Sequence, residues 1–275
     1  MRRESTTIRA RYRRYGPAMV EYELQGHVAV ITINRPEARN AVSTEVAQGI
    51  EAAIDRLEED DEAWVGVLTG AKTAKGYIFS AGADLKQMST DPGGMSTAKG
   101  GFGGIAQRER TKPIIAAVDG PALAGGTEIV LACDLVVASK TAVFGIPEVK
   151  RNLVAAAGGL FRLPRKIPRN IAMELALTGR LDFPAERAYA FGLVNRLCEE
   201  GEALKTALEL AAEVCAAAPL AVRESRRIVI EATDQPDDVG WKMSGEGIMK
   251  MFGTEDFNEG LTAFIEKRAP EWKGR

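Results

Sequence analysis

Val118-Asp119-Gly120-Pro121-Ala122-Leu123-Ala124-Gly125-Gly126-Thr127-Glu128 runs into the apolar series Ile129-Val130-Leu131-Ala132-Cys133. After Asp134 comes Leu135-Val136-Val137-Ala138, and the stretch closes on Phe144-Gly145-Ile146-Pro147-Glu148. The glycine pair reads as the opening of a helix with Glu128 in its first turn. The residues that follow are too apolar for a solvated face, so the helix is expected to be buried. A helix that opens on glycine offers unpaired backbone N–H groups and the positive end of its dipole to an anion. Glu128 is therefore expected beside an anion-stabilising site, within an apolar wall. A structural reading fits the same residues: close packing at the glycines, and a capping or dipole role for the glutamate.

Working outward, residues 114–118 and 135–138 read as strands on either side of this helix. Upstream, Val20-Glu21-Tyr22-Glu23-Leu24 and Val28-Ala29-Val30-Ile31-Thr32-Ile33 form a hairpin pattern around Gln25-Gly26-His27. Ser43 is placed to cap a helix whose apolar stripe is Val46, Ile50, Ala53, Ile54 and Leu57. Trp64-Val65-Gly66-Val67-Leu68-Thr69 predicts a buried strand, and Tyr77-Ile78-Phe79 a shorter one. Residues 92–104 read as a glycine-rich mobile flap. Within them Gly101-Phe102-Gly103-Gly104-Ile105-Ala106 matches a dinucleotide pattern. A polar loop precedes it and Pro113 follows too soon for a crossover helix, so that reading fails. Downstream, helices are predicted over 171–177, 184–190, 202–217, 220–232 and 239–252. Thr254 caps a last one, with Phe257, Leu261, Phe264 and Ile265 on one face.

The fold class is thus α/β, divided into a flexible leader (1–18), a core (19–200) and a C-terminal helical region (201–275). The leader carries six arginines against one acid, Glu4. It reads either as a transit-type segment or as a flexible or mis-assigned start ahead of Met19, and the second is preferred. A net charge of −2 gives no basic field for nucleic acid. The longest apolar run is interrupted by Asp134, well short of the roughly 18 residues of a membrane span. No secretory signal is read. Cys133, Cys198 and Cys215 show no C-x-x-C spacing, which suits a reducing compartment and a cytoplasmic location. The lone histidine, His27, belongs to the hairpin and cannot supply a multi-histidine metal site.

Five motifs occur in one order: Ile33-Asn34-Arg35-Pro36-Glu37-Ala38-Arg39-Asn40-Ala41; Phe79-Ser80-Ala81-Gly82-Ala83-Asp84-Leu85-Lys86; Gly125-Gly126-Thr127-Glu128; Phe144-Gly145-Ile146-Pro147-Glu148; and Phe264-Ile265-Glu266-Lys267-Arg268. On these the chain resembles the enoyl-CoA hydratase/isomerase (crotonase) superfamily, from about Val20 to Trp272. The resemblance implies a crotonase-like spiral of ββα units with a C-terminal helical trimerisation region. It implies an acyl-CoA thioester substrate, no cofactor beyond that CoA, and a homotrimer or dimer of trimers. The backbone N–H groups of Ala83 and Gly125 become an oxyanion hole for the thioester carbonyl. Glu128 and Glu148, twenty residues apart, become the catalytic pair of a hydratase: Glu128 orients and deprotonates water, and Glu148 delivers a proton to the α-carbon. Ala38, Arg39, Ala81, Asp84, Leu85 and Lys86 become CoA contacts, and Phe264 and Lys267 positions that reach a neighbouring subunit's CoA.

Structural alternatives remain for two of these: Glu148 after Pro147 also suits a helix first turn, and Lys267 also suits a solvated face. Asn152 and Ala155 stand where housekeeping hydratases carry glycine and proline, so a short straight-chain enoyl group is not assumed. The stretch from Arg162-Leu163-Pro164 to Pro168 is similar to carnitinyl-CoA dehydratase-like members. Isomerisation, dehydration, and non-catalytic binding of acyl-CoA or RNA are the rival readings.

Overall fold

Valine, isoleucine and alanine crowd residues 28–33, 65–68 and 114–118, as suits strands covered on both faces. The computed structural model describes residues 19–275. The leader expected over 1–18 lies outside them. The chain opens with β1 (Val20–Gln25), β2 (Val28–Ile33), α1 (Thr44–Glu59) and β3 (Val65–Gly70). A short α2 (Leu85–Met88), β4 (Ser96–Thr97) and β5 (Gly101–Phe102) follow. Next come β6 (Ile114–Val118), β7 (Ala122–Leu123), α3 (Gly125–Ala132), β8 (Leu135–Ser139) and β9 (Val143–Gly145). The remainder is α4 (Gly159–Lys166), α5 (Arg169–Thr178), β10 (Phe183–Pro184), α6 (Ala185–Ala190), β11 (Arg196–Cys198), α7 (Ala203–Cys215), α8 (Pro219–Ala232), α9 (Asp237–Met251) and α10 (Glu255–Glu266).

Six strands form the central sheet in the order β1-β2-β3-β6-β8-β11. The first pair is the expected antiparallel hairpin and the other pairings are parallel. Strand alternation sorts β6 between two cores. Ile114, Ala116 and Val118 join the layer holding α1 and α3, while Ile115 and Ala117 face Ala207 and Ala211 of α7. A second sheet, β10-β9-β7, lies outside the first, and the bridges Ser80–Ala122 and Val42–Ala83 continue its strand-like path. Ser43 caps α1 as expected, its Oγ accepting the Val46 N–H at 3.3 Å.

Two expectations change. Residues 77–79 are not a strand. The Phe79 N–H donates to the Pro121 carbonyl, and the Ile78 carbonyl accepts from Asn40 Nδ2 at 2.7 Å, so a side chain replaces a ladder partner. The glycine-rich segment is not a free flap but packs on α1. Glu51 Oε2 accepts the Gly100 N–H at 2.8 Å, and a Cβ on Gly104 would lie 2.2 Å from the Ala47 carbonyl oxygen. Within the helical region from residue 201, α7 covers the central sheet and α8 to α10 form an arm beyond it. In that arm the apolar face of α10 is uncovered, with Phe264 85% and Ile265 78% exposed.

Asp134 fastens the arm to the core. Its carboxylate accepts from Arg110 Nη2 (3.0 Å), from Arg226 Nε on α8 (3.0 Å) and from the Ile114 N–H (2.8 Å). Burial opposes its charge, but the two guanidinium groups and that N–H prevail and hold its carboxyl below the usual range. Asp134→Ala would leave two largely buried cations without their partner. Denaturant unfolding should record a loss of about 3–5 kcal/mol, and a loss under 1 kcal/mol would contradict this role.

Candidate active site

A cavity of about 710 Å³ opens between the start of α3, the loop before α2 and the turn before α4. Ala38, Arg39, Ala81, Ala83, Asp84, Leu85, Lys86, Gly125, Glu128 and Glu148 all line it. Residues from four of the five sequence motifs therefore converge. The fifth does not: Phe264 and Lys267, on α10 and at its left-handed C-cap, are not part of this cavity within one chain.

Two backbone donors are prepared here. Ala83 is held by its neighbours: the Val42 N–H donates to the Gly82 carbonyl, the Asp84 N–H to the Val42 carbonyl, and Ser80 Oγ accepts the Gly82 N–H. Asp84 also pairs with Arg35 at 2.8 Å and caps α2 by accepting from Lys86 N and Gln87 N. Gly125 is the first residue of α3, where an N–H has no partner within the helix. Among the described residues neither the Ala83 nor the Gly125 N–H has an acceptor. A Cβ on Gly125 would lie 3.6 Å from Ala83 N and 2.4 Å from Phe102 Cζ, so the donors are adjacent and the site has no room for a side chain there. The preceding residue stores strain: Ala124 has φ 52° and ψ −126°, a conformation suited to glycine, at a cost on the order of 1–3 kcal/mol. Its N–H bond to Gly145 (2.8 Å), and Thr127 Oγ1 bridging β7 and β9, hold it there.

Glu128 lies one turn further along α3 and is only 4% exposed. Its Oε1 accepts the N–H groups of Ala157 (2.8 Å) and Gly159 (3.0 Å). Burial, the largest influence, pushes its carboxyl up to about 7. The charge of Glu148 adds to this, while the two N–H groups and Arg162 oppose it. Glu148 opens a 3-10 helix over Glu148–Arg151, so the first-turn role expected as an alternative is real. It also lines the cavity, and its buried Oε2 has no hydrogen-bond partner among the described residues. Burial raises its carboxyl too, against its own backbone N–H and Arg151. Both carboxyls thus hold a proton more tightly than an ordinary glutamate, and Glu128 does so near neutrality, where acid–base work is done.

A family model for enoyl-CoA hydratase/isomerase matches residues 23–275. The chain belongs to the enoyl-CoA hydratase/isomerase family. It is 41% identical to enoyl-CoA hydratase EchA19 of Mycobacterium tuberculosis, over 92% of this chain and 96% of that relative. It is 37% identical to the mevalonyl-coenzyme A hydratase sidH of Aspergillus fumigatus, over 90% of this chain and 92% of that one. A crystal structure of enoyl-CoA hydratase EchA1 from Mycobacterium marinum superposes with a TM-score of 0.89 at 46% identity, covering 94% of this chain and all of that one. The two-sheet arrangement described above is therefore the crotonase fold.

The backbone explains one departure at this site. Asn152 has φ 55°, a left-handed position where glycine is the default and asparagine the best-tolerated alternative. Arg151, Leu153 and Val154, in the segment after Glu148, and Arg35 of the first motif also line the cavity, while Met88, Phe102 and Leu181 escaped the sequence reading. Phe102 carried a signal, an aromatic among glycines. Leu181 is far from every motif and carried none.

Because Glu128 holds its proton more tightly in the fold than an ordinary carboxyl, the folded chain binds the extra proton between the ordinary range and about pH 7. Stability must fall as pH rises through that window and stay low above it. Glu128→Gln keeps an oxygen for the Ala157 and Gly159 N–H groups and carries no charge. It should melt a few degrees higher than the parent at pH 8, at roughly 2–4 °C per kcal/mol, and at the same temperature near pH 4.5. Thermal unfolding across this range tests the point, and equal melting temperatures at pH 8 would refute it.

Proposed function

We propose that the protein is an enoyl-CoA hydratase, adding water across the 2,3-double bond of an enoyl-CoA thioester. The observation carrying this is two carboxyls of raised proton affinity, Glu128 and Glu148, in one cavity with two adjacent unpaired N–H groups. The thioester carbonyl accepts from Ala83 and Gly125. As water attacks C3, charge moves onto that oxygen, where fixed donors and the start of α3 stabilise it without reorganisation. Losing one such donor costs roughly 10² to 10³ in rate in a measured case.

Glu128 takes a proton from the attacking water. One of its oxygens is held by two N–H groups that favour its ionised form, and a pKa near the working pH makes it an efficient base. Glu148, with an oxygen free of protein partners, is assigned to deliver the proton to C2. The product gains one water, and the proton balance of the pair is restored from Glu128 to Glu148 through solvent. Arg39 and Lys86 are assigned to the CoA phosphates, and Ala38, Ala81, Asp84 and Leu85 to its adenine and pantetheine. Asp84 acts there through its backbone, since Arg35 and α2 engage its carboxylate.

No cofactor beyond CoA is proposed, and the location is taken as cytoplasmic. Among the described residues no helix is long and apolar enough to cross a membrane. The uncovered face of α10 favours a trimer or a dimer of trimers, in which Phe264 and Lys267 reach a neighbour's CoA. Sedimentation at equilibrium should give three or six copies, and a monomer would contradict this assembly. Dehydration of a 3-hydroxyacyl-CoA is the same reaction reversed on the same groups; the Salmonella typhi relative is named carnitinyl-CoA dehydratase.

Crotonyl-, octenoyl- and branched enoyl-CoA should lose their conjugated-thioester absorbance with the protein and gain the mass of one water. The rate constant kcat/KM should rise with pH as Glu128 ionises, with its acidic limb near 7. Glu128→Gln and Glu148→Gln should each fall by at least about 10². Full rate in both variants, or a product of unchanged mass, would overturn the reading.

A further inference from the structure

We propose that Arg162 is the positioning residue for Glu128: from behind the 157–159 turn its guanidinium steadies the two gripping amides and supplies the positive charge facing that carboxylate. This deepens, and its catalytic part rests on, the hydratase reading.

Arg162 lies in the first turn of α4, its N–H donating to the Gly158 carbonyl at 2.9 Å. Its Nη2 donates to the Ala106 carbonyl at 2.7 Å, at the end of the glycine-rich segment. Nη1 is buried with no hydrogen-bond partner among the described residues. Gly158, at φ 113°, rests against it: a Cβ there would stand 2.7 Å from Nη1 and 3.3 Å from Cδ and Cζ. The residues on either side of Gly158 are Ala157 and Gly159, whose N–H groups hold Glu128 Oε1. The guanidinium therefore backs the turn at its midpoint.

A half-buried cation whose Nη1 is sealed off without a partner is costly to keep if packing is its only role. A methionine of similar length would fill the space without that cost. The charge does have an object, since Glu128 is the carboxylate acting most strongly on Arg162. The charged groups facing Glu128 are Glu148, from the 3-10 helix, and Arg162, from α4. Those facing Arg162 besides Glu128 are Arg110, already paired with Asp134, Arg165 and Lys166 from its own helix, and Cys133. Of these groups, Arg162 is the one cation that acts on Glu128.

The test uses the full chain with Arg162→Met and Arg162→Lys, each with and without Glu128→Gln. Two quantities are read: the acidic limb of kcat/KM for hydration, and the pH at which the stabilisation by Glu128→Gln levels off, which marks the carboxyl's affinity in the fold. Removing the cation disfavours the ionised carboxyl, so in Arg162→Met both should move upward, by less than about one pH unit because burial, the two N–H groups and Glu148 act on it more strongly, with a loss of kcat/KM at pH 7 of a few-fold. Arg162→Lys restores charge without the planar fork and should return both positions most of the way while recovering less of the rate. If Arg162→Met does not fold, Arg162→Gln takes its place. An unmoved limb and an unmoved stability step in the neutral variant would overturn the proposal, whatever the rate loss. Should no enoyl-CoA be hydrated while the stability step still moves, the hydratase reading fails and the positioning role stands.

Discussion

Two main-chain N–H groups without partners, at Ala83 and Gly125, are what the rest of this fold serves. An unsatisfied backbone donor in a mostly buried place is costly, and here two lie side by side. Their neighbours absorb that cost. Val42 and Ser80 hold the loop bearing Ala83, while Thr127 ties the start of α3 to β7 and β9. Ala124 accepts a strained backbone so that Gly125 can face the cavity. The doubly covered sheet beneath gives this arrangement a rigid base.

The acids are organised differently. The amides come from backbone at the edge of the second sheet, whereas Glu128 depends on the 157–159 turn and Glu148 on a short 3-10 helix. Both carboxyls owe their proton affinity first to burial. The site therefore combines a fixed electrostatic part with a titrating part, each set by different segments of chain.

Much of this was legible in the sequence because it rests on local patterns. The β1–β2 hairpin, the Ser43 and Thr254 caps and the buried helix opening at Gly125 follow from alternation, capping chemistry and apolar runs. What escaped depends on distant partners. Residues 77–79 have strand-like composition, but Asn40 and Pro121 satisfy their backbone. The glycine-rich segment reads as loose until Ala47 and Glu51 meet it, which only the packing of α1 reveals. The amide grip on Glu128 crosses about thirty residues of chain and has no side-chain signature at either Ala157 or Gly159.

That grip has a consequence for engineering. Ala157 borders the same space as Leu153, Val154 and Ala156, and its N–H also fixes the oxygen of Glu128. The loop that bounds the cavity is thus also a clamp on the Glu128 carboxyl. Widening or narrowing it to admit a different tail would retune the acidity of the reaction as well. Variants selected for new acyl groups should drift in their pH optimum even when no ionisable residue has been changed.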